Sequence, residues 1–309
     1  MGRMAQRAAV VHSQAYQCDI GPHVFPMEKF AAVRRALVES GDLREEDILA
    51  PAPAAREDLL LVHTSEYLED LENLRWTPRT ACSELPLTDE IVRAYVLAAG
   101  GTTLAAREAL SRGAGVNLGG GFHHAFAAQA SGFCYINDLA VAVRVLQREG
   151  RIARAAVVDC DLHQGNGTAH LFRDDPTVFT FSIHQEHLYP IKQRSDLDIG
   201  LDNGTGDEEF NRRLAEGLES VWAQGPEIVL YQAGADPFQE DQLGALRLTF
   251  EGLETRDRLV LEGCQRQGIP MVVTLGGGYA RRLADTVRIH ARTCQIAIRL
   301  AEHRLEPVR

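Results

Sequence analysis

Short, continuously apolar runs alternate with longer stretches of helical spacing along most of this 309-residue chain. Such runs indicate strands buried on both faces, and their alternation with helices indicates a parallel sheet with helices on both sides. We predict strands at residues 8–12, 116–118, 155–158, 177–183, 228–232 and 270–274. We predict helices at residues 27–40, 89–112, 208–224 and 249–267, one beginning near Thr64, one capped by Asn137 or Asp138, and a last one running towards Arg304.

No linker, internal repeat or low-complexity tract interrupts this order, so we expect a single three-layer α/β/α domain over residues 1–309. The segment from Gln185 to Asp207 is predicted as a long irregular loop, and such loops are usually functional or mobile. Ligands in open α/β sheets bind beyond the carboxyl ends of the strands. The residues that follow each predicted strand are therefore the candidates for chemistry.

The strand at 155–158 runs into the sequence Asp-Cys-Asp-Leu-His-Gln-Gly-Asn-Gly at 159–167. Asp159, Asp161 and His163 would share one face if the extended backbone continued. With Asp236, which follows the strand at 228–232, Asp161 and His163 form a ligand set for a divalent metal. Three protein ligands leave an open position for water, as in a catalytic zinc site. The plainer alternatives are a polar turn after a strand and, for Asp236, a turn residue before proline.

His123 and His124 follow three glycines at 119–121. Adjacent imidazoles suit paired proton transfer, with one accepting a proton from water and the other staying charged nearby. Asp159 and Asn166 flank the metal ligands and would give the two imidazoles different partners, one charged and one neutral. A polar loop without a catalytic role is the alternative interpretation.

Three aromatic residues lie near the same predicted edge of the sheet. Tyr279 follows glycines 276–278 and could donate its hydroxyl to an oxyanion, although it could also serve packing at the last helix. Phe133 and Tyr189 lie on loops and could line a narrow channel, or belong to the core. The two glycine runs do not match a phosphate-binding GxxxxGK[ST] loop.

The charge, the cysteines and the lack of long apolar runs argue against nucleic-acid binding, disulfide bonds and membrane insertion. The net charge is −11 without a Lys/Arg block, which argues against nucleic-acid binding and favours either a cationic substrate or simply solubility. The six cysteines form no CxxC pair, so reduced thiols are expected. Residues 1–6 lack an apolar signal core and no run is long enough to span a bilayer. We therefore expect a soluble, cytoplasmic protein without membrane contact.

Five motifs together resemble the zinc-dependent histone deacetylase family, in the family's own order. They are GGGFHHA at 119–125, GFC at 132–134, DCDLHQGNG at 159–167, GAD at 234–236 and LGGGY at 275–279. Gln164 and Asn166 make the third motif most similar to the class IV branch and its prokaryotic relatives. The resemblance implies the arginase/deacetylase fold, with a mainly parallel eight-stranded sheet.

The resemblance also assigns a role to each candidate residue. It implies zinc, or iron(II), on Asp161, His163 and Asp236. It implies His124 as general base and acid with His123 as electrostatic partner, Asp159 and Asn166 as orienting groups, and Tyr279 as the donor to the acyl oxygen. It places Gly132 and Phe133 on one wall of a substrate tunnel, Tyr189 on the opposite wall, and a structural potassium near Asp159, Asp161, His163, Ser182 and Phe172.

The activity implied is hydrolysis of a linear amide, with metal-activated water attacking an acylated amine. The substrate stays open between an acetylated or longer-chain acylated lysine of a protein or peptide and an acetylated polyamine or other small amine. A two-manganese ureohydrolase of the same fold would need a second carboxylate where Gly165 stands. An inactive module that binds acylated ligands or partner proteins should have lost a ligand, a histidine or the tyrosine, and none is lost.

Overall fold

The structure is a computed structural model that describes residues 7–302. Its centre is an eight-stranded, entirely parallel sheet in the order β2-β1-β3-β8-β7-β4-β5-β6. The strands are β1 (Ala9–Val11), β2 (Ile48–Leu49), β3 (Ala114–Asn117), β4 (Ala155–Asp159), β5 (Val178–Gln185), β6 (Leu197–Leu201), β7 (Val229–Gln232) and β8 (Met271–Thr274). Because all strands are parallel, their carboxyl ends meet at one edge of the sheet.

Helices connect the strands and cover the sheet. They are α1 (Lys29–Glu39), α2 (Arg56–Leu59), α3 (Ser65–Glu72), α4 (Pro78–Ala81), α5 (Asp89–Arg112), α6 (Asp138–Arg148), α7 (Asn166–Phe172), α8 (Asp207–Ala223), α9 (Phe250–Gln267) and α10 (Leu283–Glu302). Across residues 7–302, none of these helices combines the length and apolar character needed to cross a bilayer. The expectations for residues 1–6 and for Arg304 lie outside the described residues.

Successive residues of each central strand pack into two separate apolar clusters. In β4, Ala156 and Val158 belong to the larger cluster, whereas Ala155 and Val157 belong to the smaller one. Side chains alternate between the faces of a strand, so the two clusters lie on opposite faces of the sheet. This arrangement confirms the predicted α/β/α layers and explains why the strands are continuously apolar.

Local signals fix the helix ends that the sequence predicts. The Asn137 side chain accepts a hydrogen bond from the backbone N–H of Ala140, so Asn137, not Asp138, caps α6. Thr88 caps the start of α5 in the same way through Ile91. Gly113 ends α5 with a φ of +89°, a left-handed conformation that glycine adopts without steric cost.

Two local predictions need correction, and one further strand, β2, was not predicted. The segment 185–207 is not irregular throughout, because residues 197–201 form β6 at the edge of the sheet; its half-exposed sequence LDIGL gives no continuous apolar run. Strand β2 has only two residues and so carries no readable pattern. The extended backbone stops at Asp159, so Asp161 and His163 reach their positions through a turn before α7.

Candidate metal centre and active site

Three ligand-type side chains converge where two neighbouring strands end. Asp159, the last residue of β4, pairs in register with Gln232, the last residue of β7. The Nδ1 atom of His163 lies 3.2 Å from Oδ1 of Asp161 and 3.2 Å from Oδ2 of Asp236. One candidate ligand atom from each of these three residues lies within 4.8 Å of the others. The sequence-predicted metal set is therefore brought together at one point.

The charges of this cluster suit a divalent cation. Both carboxylates and the imidazole are buried. Burial alone disfavours the charged imidazole, but the hydrogen bonds to Asp161 and Asp236 raise the pKa of His163 to about 10. The two carboxylates thus require positive charge at the position they share with His163. A divalent metal held by two carboxylate oxygens and one imidazole nitrogen would supply it, so these residues fit the predicted metal.

The carboxylates are oriented by further hydrogen bonds. Oδ2 of Asp161 accepts from Nε2 of Gln232 (2.8 Å) and from the backbone N–H of Gly277 (2.9 Å). Oδ1 of Asp236 accepts from the backbone N–H of Leu162 (2.9 Å). A Cβ atom at Gly277 would lie 2.3 Å from Oδ2 of Asp236, so only glycine permits this close approach of the backbone.

A buried arginine ties the two ligand-bearing segments to helix α9. Nη1 of Arg256 donates to the carbonyl oxygens of Cys160 (3.3 Å) and Gly234, which belong to the segments after β4 and β7. Its Nε and Nη2 donate to Oδ1 of Asp257 at 2.9 and 2.8 Å. The guanidinium therefore holds both segments from behind the candidate metal site, and Asp257 balances its charge.

The histidine pair has a defined hydrogen-bond pattern. Nδ1 of His123 lies 2.6 Å from Oδ2 of Asp159, and Nδ1 of His124 lies 2.7 Å from Oδ1 of Asn166. The Asn166 Oδ1 atom also accepts from the backbone N–H of Gly167, which identifies it as the amide oxygen. Both Nδ1 atoms therefore carry hydrogen and donate, and the two Nε2 atoms, 3.0 Å apart, share a single proton.

The two imidazoles differ in charge preference. Burial lowers the pKa of His123, but the charges of Asp159 and Asp161 outweigh burial and raise the pKa of His123 to about 8. Burial and the neighbouring imidazoles of His123 and His163 lower the pKa of His124 well below its usual value. The shared proton is therefore held mainly by His123. This is the asymmetry predicted from one charged and one neutral partner.

Tyr279 lies opposite this pair, after the glycine run that follows β8. Its backbone N–H donates to Oδ2 of Asp241 (2.7 Å), and its ring centroid lies 6.5 Å from that of His163. Among residues 7–302 the Tyr279 hydroxyl has no hydrogen-bond partner, although the residue is almost fully buried. The hydroxyl is thus available to a group that enters the site.

A cavity of about 280 Å³ joins these groups, and His124, His163 and Tyr279 line its inner end. Gly132 and Phe133 form part of its wall, with φ angles of +48° and +61°. A Cβ atom at Gly132 would lie 2.5 Å from Cδ2 of His124. The ring of Tyr189 lies 5.4 Å from that of His124 and completes the wall. The predicted tunnel residues all line this cavity.

Comparison with protein families identifies the chain. The family model described as "Histone deacetylase domain" matches residues 23–294, a range that includes the ligand set, the histidine pair and Tyr279. The chain belongs to the histone deacetylase family. The family membership indicates a hydrolase of the deacetylase type with a metal cofactor.

Relatives of known sequence cover most of the chain. An uncharacterized protein of Picosynechococcus sp. is 43% identical, with 87% of this chain and 91% of that protein aligned. Histone deacetylase 2 of Arabidopsis thaliana is 32% identical, with 91% and 78% aligned. The acetoin utilization protein AcuC of Bacillus subtilis is 31% identical, with 87% and 76% aligned.

Solved structures confirm the predicted arginase/deacetylase fold. An HDAC homologue complexed with SAHA superposes with a TM-score of 0.81 at 26% identity, covering 97% of this chain and 85% of that one. An HDAC homologue from Aquifex aeolicus superposes with a TM-score of 0.80 at 27% identity, covering 96% and 84%.

The predicted potassium residues are only partly brought together. Asp159 and Ser182 are register partners on β4 and β5, and Oδ1 of Asp159 accepts from the backbone N–H of Asp161. Phe172 instead packs in the smaller apolar cluster, and its carbonyl oxygen accepts from the backbone N–H of Asp175. Within the described chain no hydrogen bond or ring contact links Phe172 to the others, and the potassium site stays a prediction.

The sequence analysis did not predict several residues of the site. Glu84, Leu188 and Leu243 also line the cavity, but they stand in loops without a recognisable motif. Lys29 and Arg256 could have been found, because each is a charged residue on the apolar face of its helix. Lys29 is fully buried, and its Nζ donates to the carbonyl of Gly276 (2.6 Å) and lies 5.9 Å from the centroid of the Tyr279 ring.

Proposed function

We propose that this protein is a zinc-dependent amidohydrolase that removes acetyl or longer acyl groups from acylated lysine side chains. The observation that carries the proposal is that His124, His163 and Tyr279 line one cavity. A proton acceptor, a metal ligand and a phenolic donor therefore face the same small volume. This is the combination that hydrolysis of an unactivated amide requires.

Zinc held by Asp161, His163 and Asp236 would lower the pKa of a bound water to about 7 and polarise the acyl carbonyl. The chain's own groups complete the reaction. Asn166 fixes the Nδ1–H of His124, so Nε2 is the basic nitrogen of this ring. Its lone pair faces the proton held by His123, and it takes the proton of the attacking water when that contact opens. The Tyr279 hydroxyl donates to the acyl oxygen as charge develops there.

Breakdown of the tetrahedral adduct needs a proton on the departing amine. The histidine pair can return it, because its two Nε2 atoms already share one proton and Asp159 holds His123 in place. Cleavage of the C–N bond then releases the lysine amine and the carboxylic acid. Both histidines are buried, which limits the access of bulk water to these groups.

The cavity favours an acyl-lysine substrate. Phe133, Tyr189, Leu188 and Leu243 provide mainly apolar walls, which suit the methylene stem of lysine. A small acylated amine such as an acetylpolyamine is the second candidate. Glu84 supports it, because this exposed carboxylate lines the same cavity and could pair with a second ammonium group.

A substrate panel tests the proposal. Metal-stripped protein is reconstituted with Zn²⁺ or Fe²⁺, and kcat/KM is measured for acetyl-lysine and long-chain acyl-lysine peptides and for acetylputrescine. We expect turnover of an acyl-lysine peptide with Zn²⁺. Binding without turnover across the panel would instead indicate an acyl-binding module, and two metal ions per chain by elemental analysis would indicate a two-manganese ureohydrolase.

We further propose a cytoplasmic location. All six cysteines are free thiols, and five of them are buried. Reduced cysteines in a chain of this length are typical of a reducing compartment. Immunofluorescence or fractionation in the native host would test it, and recovery in an extracytoplasmic fraction would contradict it.

A further inference from the structure

A second groove opens beside the acyl cavity and shares a wall with it. We call it the flank groove; its volume is about 500 Å³, and Phe126, Gln129, Tyr189, Pro190, Ile191 and Gln193 are among its lining residues. Tyr189 lines both spaces. The Tyr189 hydroxyl lies 2.7 Å from Oγ of Ser131, so a hydrogen bond fixes the partition between them. A chain that enters the acyl cavity therefore leaves it next to the flank groove.

The chemistry of the flank groove differs from that of the rest of the surface. Ile191 is 87% exposed, the highest value among the large apolar side chains of residues 7–302. Phe126 and Pro190 add apolar surface, and no Asp, Glu, Lys or Arg lines the groove. On a chain with a net charge of −11, this uncharged strip favours an apolar, uncharged occupant.

The segment that carries Ile191 is anchored to the metal-binding motif. Nε2 of Gln164, the residue after the ligand His163, donates to the carbonyl of Gln193 (2.6 Å) and to Oδ1 of Asp198 (2.7 Å). Oε1 of Gln164 accepts from the backbone N–H of Gln193 (2.8 Å). The wall is therefore organised before a ligand arrives, which reduces the entropy lost on binding.

We propose that the flank groove binds the polypeptide next to the acylated lysine, with an apolar side chain against Ile191 and Phe126. The proposal rests on the proposed function, because an acyl-lysine in the cavity is what places a main chain at Tyr189. It names the substrate class as a protein or peptide with an apolar residue beside the acyl-lysine. A free acylated polyamine would leave the flank groove empty.

The test compares acetyl-lysine peptides that differ only in the two neighbours of the lysine, which are both Leu, both Ala or both Asp. N-terminally blocked acetyl-lysine amide serves as the reference without flanking residues. In the wild type we expect kcat/KM in the order Leu, Ala, Asp. Ile191→Ser should lower the ratio of kcat/KM for the Leu peptide to that for the reference about five- to tenfold, through KM.

Leu60→Ser is the matched control, because Leu60 is 40% exposed and lines neither space. It should leave the ratio at the wild-type value. Two results would overturn the proposal that the flank groove binds the flanking residues. One is equal kcat/KM for all three peptides, and the other is a Leu-to-reference ratio that Ile191→Ser does not change. Neither result would contradict the deacylase activity itself.

A binding measurement separates failure of the groove from failure of the proposed function. If no substrate is turned over, the deacylase proposal fails. Fluorescence anisotropy with labelled Leu and Asp peptides then tests whether the flank groove binds a peptide. Tighter binding of the Leu peptide that Ile191→Ser abolishes would support the groove. Equal binding of both peptides, or binding insensitive to this substitution, would overturn it.

Discussion

The Nε2 atoms of His123 and His124 lie 3.0 Å apart, and the Nδ1 atom of each ring is bound to a separate oxygen acceptor. The pair is therefore a fixed unit with one exchangeable proton between its rings. Rotation of the His123 ring would break its contacts with Asp159 and with His124. Rotation of the His124 ring would break its contacts with Asn166 and with His123. Catalytic function of this unit should depend on the acceptors as much as on the imidazoles.

Asn166→Ala should lower kcat about 10- to 100-fold with little change in KM. The substitution removes the acceptor that holds Nδ1–H of His124, so the ring loses its fixed tautomer and orientation. Steady-state kinetics on an acyl-lysine peptide checks it. Asn211→Ala is the control, since this α8 side chain donates only to the carbonyl of Gly252. An Asn166→Ala enzyme with the wild-type kcat would show that the orientation of His124 is irrelevant.

Tyr279→Phe should lower kcat by a factor of about 10²–10³ without lowering the free energy of unfolding. The reason is that the Tyr279 hydroxyl makes no hydrogen bond to any residue among 7–302, so its loss removes only an interaction with the reacting group. Tyr67→Phe is the converse control. It deletes a buried hydrogen bond to the carbonyl of Tyr135 and should cost about 1 kcal/mol of stability while kcat stays unchanged.

Added Zn²⁺ should raise the melting temperature of metal-stripped wild-type protein, and Asp236→Ala should remove most of that shift. A ligand present at about 100 times its Kd stabilises the folded state by about 2.7 kcal/mol. Differential scanning fluorimetry with and without Zn²⁺ measures it. Asp175→Ala, which removes a carboxylate paired with Arg144 away from the site, should keep the shift. The metal assignment is wrong if Asp236→Ala responds to zinc as the wild type does.

Arg256→Met should weaken Zn²⁺ binding about 10- to 100-fold, because the segments at Cys160 and Gly234 lose their common donor. Competition with a chromophoric chelator gives the affinity. Arg292→Met is the control: Arg292 of α10 pairs with Glu254 of α9, the helix that carries Arg256, but makes no contact with the ligand segments.

Loss of Arg256 alone leaves Asp257 buried without its cation, which costs about 3–5 kcal/mol of stability. The double variant Arg256→Met/Asp257→Asn removes that unpaired charge and should recover stability, yet it should still bind Zn²⁺ weakly. Wild-type affinity in the double variant would mean that Arg256 serves stability alone.

The fold was predictable where a strand is buried on both faces. The apolar runs that became β4, β7 and β8 carry a clear signal, because two layers of helices leave no polar position on such strands. Strand β6 lies at the edge of the sheet and exposes Asp198, so its pattern is mixed. The two residues of β2 are too few for any pattern.

The candidate site was predictable where its residues follow a strand, because the carboxyl ends of parallel strands lie at the same edge of the sheet. Asp161, Asp236 and His124 are of this kind. The burial of Arg256 could be inferred from its place on the apolar face of α9, but its partners could not, because its contacts with Cys160 and Gly234 span 96 and 22 residues and arise only from the packing of α9. Glu84 reaches the cavity on a loop with a φ of +64°, a conformation that no neighbouring residue signals.

Acidification should destabilise the protein because buried histidines become protonated on unfolding. The contribution of His63 to this loss of stability can be measured separately. Its Nδ1 donates to the carbonyl of Phe126 (3.0 Å), and its Nε2 accepts from the backbone N–H of Asn137 (3.1 Å), so the folded state needs the neutral ring. Burial lowers the pKa of His63 from 6.5 to about 4. Between these values the unfolded chain binds the proton more tightly, so the stabilisation is complete above pH 6.5 and is lost as the pH falls towards 4.

Urea unfolding at about pH 7.5 and about pH 5.5 gives the free energy of unfolding at each pH. His63 should contribute about 1 kcal/mol to the difference between the two values. His63→Gln should be less stable than the wild type at the higher pH because it loses a buried hydrogen bond. Its free energy of unfolding should then fall by about 1 kcal/mol less on acidification, since the other buried histidines titrate in both proteins. Parallel losses in the two proteins would mean that His63 keeps its ordinary pKa in the folded state.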